Sequence, residues 1–553
     1  MNRIVTISLK LQIILLCAIG FIVFSNIFSN NFILDDTEMI ENNPAVMNHD
    51  IGKILFGGTF YRGDVINRSG QFFRPIMLLI FSLTDLVFGI NLFVFHFWSI
   101  LFHIINSILI LFLFRRFLPS IWAFLFTLIF LVHPINTEAI DAISSLNDII
   151  FATFGLAALL FAFNIKKNKN ITGFLLVTTM LLLSLLSKET GVLFGFIIFI
   201  SYFIFQNKHK ILLTSSLSSL TIYILIRLLT VGLGFSEKGV SPMLRADLGT
   251  RLLTIPKIVI FYLKAAFFPI DLSRSHHWLV KNPNLADFFV PLIIIFVLFI
   301  LVAIVWIRIR KKQEYKRFFL FSLLWFLSGL GLHSQIFPLE YTVGERWFYF
   351  SLIGLLGLLG ITIVSFLNKV KKSYTGLFIA FAIFIIMILG IRTYIRNFDW
   401  KNNSTLIAHD IQVNTDSFEL ELFYGTELLN KKDYKQAMVH IKRSVNLNPY
   451  WLNINNLATA HLAIGDKEKA LKLFKKSAYE YHYYKSFENL ASIYFLDGKM
   501  SDAKKTLDDG LRLYPNDPKL WYISYLYWKN LNNVKQANIA AKKYLYLKRS
   551  LNL

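Results

Sequence analysis

The chain has 553 residues, 55% of them hydrophobic and only 16% charged, with 55 phenylalanines and a mean hydropathy of +0.54. Soluble domains carry roughly 45–50% apolar and about 25% charged residues, so a soluble globule, a disordered chain and a secreted disulfide scaffold are excluded; the single cysteine, Cys17, also forbids an internal disulfide. The net charge of +23 sits mostly in short basic clusters between apolar runs, which is the pattern of a multi-pass membrane protein and not of a nucleic-acid-binding face.

The first apolar run, 11–28, follows Arg3 and Lys10 and has no small-residue cleavage site behind it. It reads as a retained anchor with a cytoplasmic N-terminus, and Cys17 within it as a buried apolar thiol. Further spans are expected at 92–114, 121–132, 149–163, 173–186, 191–205, 211–229, 288–307, 318–332, 347–367 and 377–391. Basic clusters lie at Arg115/Arg116, Lys166/Lys167/Lys169, Lys208/Lys210, Arg308 to Arg317 and Lys369/Lys371/Lys372. Placing all of them inside gives eleven spans and an outer C-terminus. Two other apolar stretches, 75–88 and 252–268, would break that parity if they crossed. Asp85 interrupts one, Lys257 and Lys264 the other, so both are expected to lie along the outer surface with lysines reaching to water. The outer face then holds 29–91, 133–146, the turn at Lys188–Glu189, 232–287 and 335–346.

From about residue 416 the composition becomes that of a soluble helical domain. Ala437, Ala470, Ala503 and Ala537 recur at intervals of 33, 33 and 34, Gly465 and Gly498 are 33 apart, and Pro449 and Pro515 are 66 apart. This is the 34-residue tetratricopeptide pattern of paired antiparallel helices, with small residues where helices pack closest and Pro after the second helix. Four repeats exceed the three needed to bury a continuous core. Their concave face suits a bound peptide or protein; the plainer reading is a structural spacer. Tyr479, Tyr481, Tyr483, Tyr484 and the run 521–528 read mostly as helix-packing aromatics. The fold class is therefore all-α: a polytopic membrane bundle over 1–395, a linker over 396–415, and an outer tetratricopeptide solenoid over 416–553.

Chemistry-bearing residues gather on the expected outer face. Asp35 and Asp36 stand side by side where the chain leaves the first span. Adjacent carboxylates raise one pKa, which suits a general base, although such pairs also serve as caps. His133, Glu138, Lys188, Glu189, Glu345 and Arg346 lie at span ends, and the loops add Arg62, Arg68, Arg74, Arg245, Arg251, Arg274, His276 and His277. Cations beside carboxylates at one membrane face fit a lipid-linked phosphate: Arg neutralises the leaving phosphate while a carboxylate deprotonates an acceptor hydroxyl. Each has a plainer reading: an internal ion pair for Lys188–Glu189, an interface anchor for Arg346, a helix end for His133, surface residues for His276 and His277, surface or cap residues for Asp85 and Asp141. Phosphate-loop, dinucleotide, Cys/His-metal and Gly-x-Ser-x-Gly patterns do not stand out. Asn403-Ser404-Thr405 fits Asn-x-Thr and is read as a chance match.

Leu34-Asp35-Asp36, Phe73-Arg74-Pro75, the stretch from Phe95-His96 to His103, His133-Pro134-Ile135-Asn136-Thr137-Glu138-Ala139, Ser187-Lys188-Glu189-Thr190-Gly191 and Glu345-Arg346-Trp347-Phe348-Tyr349, together with the repeats, resemble the TMTC-like proteins. These are transmembrane and tetratricopeptide-repeat glycosyltransferases of the GT-C superfamily. The resemblance implies transfer of a sugar, mannose in characterised relatives, from a polyprenyl-phosphate carrier to Ser or Thr of an acceptor protein on the outer face. It maps the catalytic acidic residue of the first outer loop, which takes the acceptor's proton, onto Asp35 or Asp36. Arg346, Lys188 and Arg74 are the candidates for the donor phosphate, with His133, Glu138, Glu189 and Glu345 in support. It implies single displacement with inversion and, for a donor with one phosphate, no metal or other cofactor. The Phe, Ile, Lys and Asn richness and the brief repeat tail fit a bacterial or archaeal member. The membrane would then be the plasma membrane and the carrier undecaprenyl phosphate; a eukaryotic member would sit in the endoplasmic reticulum. Two other readings stay open: an O-antigen-ligase-like enzyme relying on Arg245, Arg274 and His276 instead of Asp35, and a non-enzymatic transporter or assembly scaffold.

Overall fold

The computed structural model describes residues 7–59, 72–165, 170–206, 210–232, 239–367 and 374–550. Arg62 and Arg68, and the basic clusters at 166–169 and 369–372 together with Lys208, lie outside the described residues. The described chain is helical, and an isolated antiparallel bridge joins His276 to Val343. The described residues divide into two compact units, one up to His409 and one from Asp410 onward. The residues read as a linker are themselves helical: Thr375–Asp399 runs into them, and Asn403–Val413 follows.

Every expected apolar run of the first unit forms a helix. Among the described residues, six helices are long and apolar enough to cross a membrane: Leu92–Phe114, Ile143–Phe163, Ile211–Thr230, Leu285–Ile309, Glu345–Leu367 and Thr375–Asp399. A bent pair, Ser120–Val132 and Pro134–Asp141 at 48°, makes a seventh if counted as one span. Leu9–Val23, Pro75–Phe88, Ile171–Ser187 and Glu189–Ile204 are apolar but shorter. The chain is thus a multi-helix membrane protein, while the count of eleven is not reached by length and composition. Several runs are shortened because they end in the polar residues of the loops, at Pro134 and at Lys188.

Close helix packing rests on small residues. A Cβ on Gly354 would sit 2.5 Å from the backbone N of Phe326, and one on Gly329 would sit 2.1 Å from Ser351 Oγ. Gln313–Leu332 and Phe348–Leu367 therefore approach to backbone contact, as small residues allow inside membranes. The phenylalanines fill the rest of the core: Phe117 stacks on Phe318 with ring centroids 4.4 Å apart, and Phe163, Phe205 and Phe321 surround them. The two stretches expected along the surface are the helices Pro75–Phe88 and Leu248–Phe267. In the second, Thr254, Ile258, Tyr262 and Ala265 recur every three or four residues and form the buried face. Its lysines are paired rather than merely extended to water, Lys257 with Asp287 at 2.8 Å and Lys264 with Asp271 at 2.8 Å.

The second unit is four helix pairs: Phe418–Asn430 with Tyr434–Leu447, Trp451–Ala463 with Lys467–Lys475, Tyr484–Leu496 with Met500–Leu513, and Pro518–Asn530 with Val534–Ser550. The four periodic alanines are buried. Gly465 and Gly498 close the middle two pairs in the left-handed region (φ +85° and +70°); Lys432 and Asn532 take that conformation in the outer two. The second pair lacks the Pro that follows its neighbours and instead ends in a π-turn, Lys476–Glu480. Tyr483 and Tyr527 are buried as expected, while Tyr479 and Tyr522 are exposed.

Candidate functional site

The site is built on 133–148. Pro134 cannot continue the helix Ser120–Val132, so the chain bends there. Freed carbonyls are taken up by side chains: Asn136 Nδ2 donates to Phe130 O at 2.9 Å and Thr137 Oγ1 to Pro134 O at 2.9 Å. His133 serves this bend. Its Nδ1 accepts from the Ile135 N–H at 3.2 Å and its Nε2 donates to Ala266 O at 2.9 Å. Both ring nitrogens are occupied, so neither is left to meet a substrate.

Glu138 and Asp148 project from this segment into a shared ion network. The backbone N–H of Arg346 donates to Glu138 Oε2 at 2.9 Å, and the Arg346 guanidinium donates to Glu138 Oε1. Arg346 Nε lies 4.0 Å from Asp148 Oδ2, and Lys188 Nζ pairs with Asp148 Oδ1. Lys188 reaches the network because the chain doubles back beside it; a Cβ on Gly191 would stand 2.7 Å from the Ser184 carbonyl carbon. The next residue, Glu189, opens a second ring of contacts. It lies 3.5 Å from Arg74 Nε and 3.3 Å from Arg227 Nη1, and it accepts the Phe73 N–H at 3.3 Å.

The charges act on one another. Burial lowers the pKa of Lys188 to about 8 against the pull of Asp148, and Arg74 and Arg346 press the same way. Burial would raise Glu189, but Arg74, backbone N–H groups and Arg227 hold it below its ordinary value. Four cations, Arg74, Lys188, Arg227 and Arg346, thus meet three carboxylates, Glu138, Asp148 and Glu189, and Arg274 adds positive charge beside Arg346. The cluster has a positive surplus, the condition for holding an anion of low charge.

Asp35 and Asp36 begin a short helix, Asp35–Met39, and differ in burial. Asp36 is fully buried; its carboxylate accepts the Ile33 N–H at 3.0 Å and the Ser144 N–H at 2.6 Å. Burial pushes its pKa up to about 6 despite those donors. Asp35 is exposed. Through Ser144 the acidic loop is fastened to the same segment that carries Glu138 and Asp148.

The remaining candidates fall elsewhere. Glu345 is buried and accepts the Ser273 N–H at 2.6 Å, which ties two loops together. Arg251 holds the carbonyls of Gln335 and Ile336 at 3.3 and 2.8 Å, and Arg245 donates to Gly239 O at 3.1 Å. His276 and His277 are buried, not surface residues: the first packs edge-on to Phe261 and the second lies against Tyr341. Asp141 is likewise fully buried, where Arg396 and Asp399 act on it, and Asp85 is mostly covered and pairs with His49 at 3.6 Å. Sequence reasoning missed Asp148 and Arg227. Arg227 carried a signal, since a lone arginine inside an apolar run marks a function or a partner. Asp148 opens the run 149–163 and was passed over as a span boundary.

Residues 74–233 match the family model "Dolichyl-phosphate-mannose-protein mannosyltransferase". The mouse "Protein O-mannosyl-transferase TMTC3" is 23% identical over 82% of this chain and 52% of its own length. The human protein of that name is 24% identical over 82% and 53%, and the Caenorhabditis elegans "Protein O-mannosyl-transferase F38B6.6" 22% over 79% and 63%. The chain thus spans about half the length of the curated relatives it matches. Over most of its residues it resembles the transmembrane and tetratricopeptide-repeat O-mannosyltransferases, and its matched segment contains Arg74, Glu138, Asp148, Lys188, Glu189 and Arg227 of the cationic cluster.

Proposed function

We propose that the chain is a membrane glycosyltransferase that moves mannose, or a mannose-like sugar, from a polyprenyl-phosphate carrier to a hydroxyl of an acceptor protein on the outer face of the membrane. The observation that carries this reading is the ion network of Arg346, Lys188, Glu138 and Asp148 beside Arg74 and Glu189. A sugar-phosphate diester carries one negative charge, and the cluster's surplus matches it. As the bond from the sugar's C1 to the phosphate oxygen breaks, charge grows on the phosphate, and Arg346, Lys188 and Arg74 offset it more strongly than in the ground state.

Asp35 is the base in this reading. It is exposed, whereas Asp36 is buried and occupied by two N–H donors. The acceptor oxygen attacks C1 from the face opposite the phosphate, its proton passes to Asp35, and the configuration at C1 inverts. The side chains supply all the charge neutralisation; no metal or cofactor is invoked. The repeats would present the protein acceptor.

The test is sugar transfer in membranes supplied with radiolabelled polyprenyl-phosphate mannose. Asp35→Asn should lower kcat by about 10²- to 10⁴-fold, the range for a general base. Arg346→Ala should cost kcat and kcat/KM together. Transfer that survives Asp35→Asn but is abolished by Arg274→Ala would replace this mechanism with the ligase-like one.

A further inference from the structure

We infer that Asn403 is a positioning residue for the Asp35–Asp36 loop, an inference that rests on the proposed transfer reaction. Leu34, immediately before the acidic pair, has φ +52° and ψ −115°, a conformation a leucine adopts only when its surroundings impose it. The imposing contacts come from the far end of the same unit. The Leu34 N–H donates to Asn403 Oδ1 at 2.9 Å, and the Asn31 N–H donates to Lys401 O at 2.9 Å. Between them the fully buried Trp400 packs with Ile33, Ala142 and Leu406. Asn403 is not needed to cap its own helix, because Asn402 Oδ1 accepts the Thr405 N–H at 3.0 Å. Its side chain is committed to Leu34. The strained turn at Leu34 sends Asp36 inward to Ile33 and Ser144 and leaves Asp35 exposed. The Asn-x-Thr match at 403–405 thus contains an asparagine with a structural task.

The experiment compares full-length wild type with Asn403→Leu, Asn403→Asp and the double variant Leu34→Gly/Asn403→Leu. It measures mannose transfer and, on the same detergent-solubilised chains, amide hydrogen exchange over 31–40. Asn403→Leu should lower kcat by about three- to tenfold, the effect of losing one intramolecular hydrogen bond, with donor KM unchanged. Exchange over 31–40 should speed up by a similar factor, while the helix Leu92–Phe114 stays unchanged. Asn403→Asp keeps the acceptor oxygen and cannot carry an N-glycan. It should restore slow exchange and most of kcat, with the acid limb of the pH profile moved upward by the added like charge near Asp35. Gly tolerates positive φ, so the double variant should recover activity relative to Asn403→Leu. A fall in kcat without faster exchange, or faster exchange with full kcat, would overturn the inference. If wild type transfers nothing, the transfer reading fails, and the exchange result decides alone: unchanged exchange in Asn403→Leu refutes the clamp and faster exchange supports it.

Discussion

Asp36 and Lys188 are buried titratable groups whose shifts give opposite pH signatures. Asp36 ionises near 3.8 when unfolded and at about 6 in the fold. Between those values the folded loop holds the extra proton, so its stability falls as pH rises, by about 3 kcal/mol at 1.36 kcal/mol per unit. Amide exchange over 33–36, corrected for its intrinsic rate, should therefore accelerate from pH 4 to pH 7, and Asp36→Asn should remove that dependence. Lys188 is charged below about pH 8 and neutral above it. Both kcat and kcat/KM for the donor should fall as pH passes 8, and Lys188→Arg should flatten the fall. Glu138, Lys188, Glu189 and Arg346 were legible in the sequence because each breaks an apolar context at a span end. Asp148 and the burial of Asp141, His276 and His277 were not, since they depend on which loops fold over which, and no spacing rule encodes that.

Helices were the most readable elements, because a run of apolar residues inside a membrane has no other way to satisfy its backbone. Their ends were less so. The break at Pro134 and the turn at Lys188 shorten the runs on either side, so among the described residues length and composition mark six or seven crossings and leave the count of eleven unconfirmed. The contact between Gln313–Leu332 and Phe348–Leu367 turns on Gly354, the first of three glycines spaced every third residue, Gly354, Gly357 and Gly360. Gly354→Val would place carbon where Phe326 N now lies 2.5 Å from a built Cβ. Overpacking of this kind costs about 1–3 kcal/mol, and a thermal or denaturant unfolding midpoint measured in detergent should fall accordingly. Gly331→Ala is the control, since a Cβ there meets nothing within 4 Å.

At the scale of the molecule, the chain joins a membrane unit with a cationic cluster to a repeat unit with its own surface. The repeats were legible in detail because a 33- to 34-residue period leaves alanines and glycines at fixed intervals. A row of side chains crosses three repeats: Asn489 Nδ2 donates to Asn455 Oδ1 at 3.2 Å, Asn455 Nδ2 to Asn456 Oδ1 at 3.2 Å, and Asn456 Nδ2 to Thr426 Oγ1 at 3.0 Å. If the repeats hold the acceptor as proposed, Asn456→Ala with Asn489→Ala should raise KM for a protein acceptor and leave donor KM unchanged. The tie between Leu34 and Asn403 spans 369 residues of sequence. A ribosome adding roughly 5–20 residues per second needs about 20–70 s to cover that distance. Throughout that interval the acidic loop has already been made but lacks the partner that shapes it. If the transfer reaction is as proposed, the nascent chain is silent until the end of its membrane unit emerges, and donor waiting in the membrane is spared by the half-made chain.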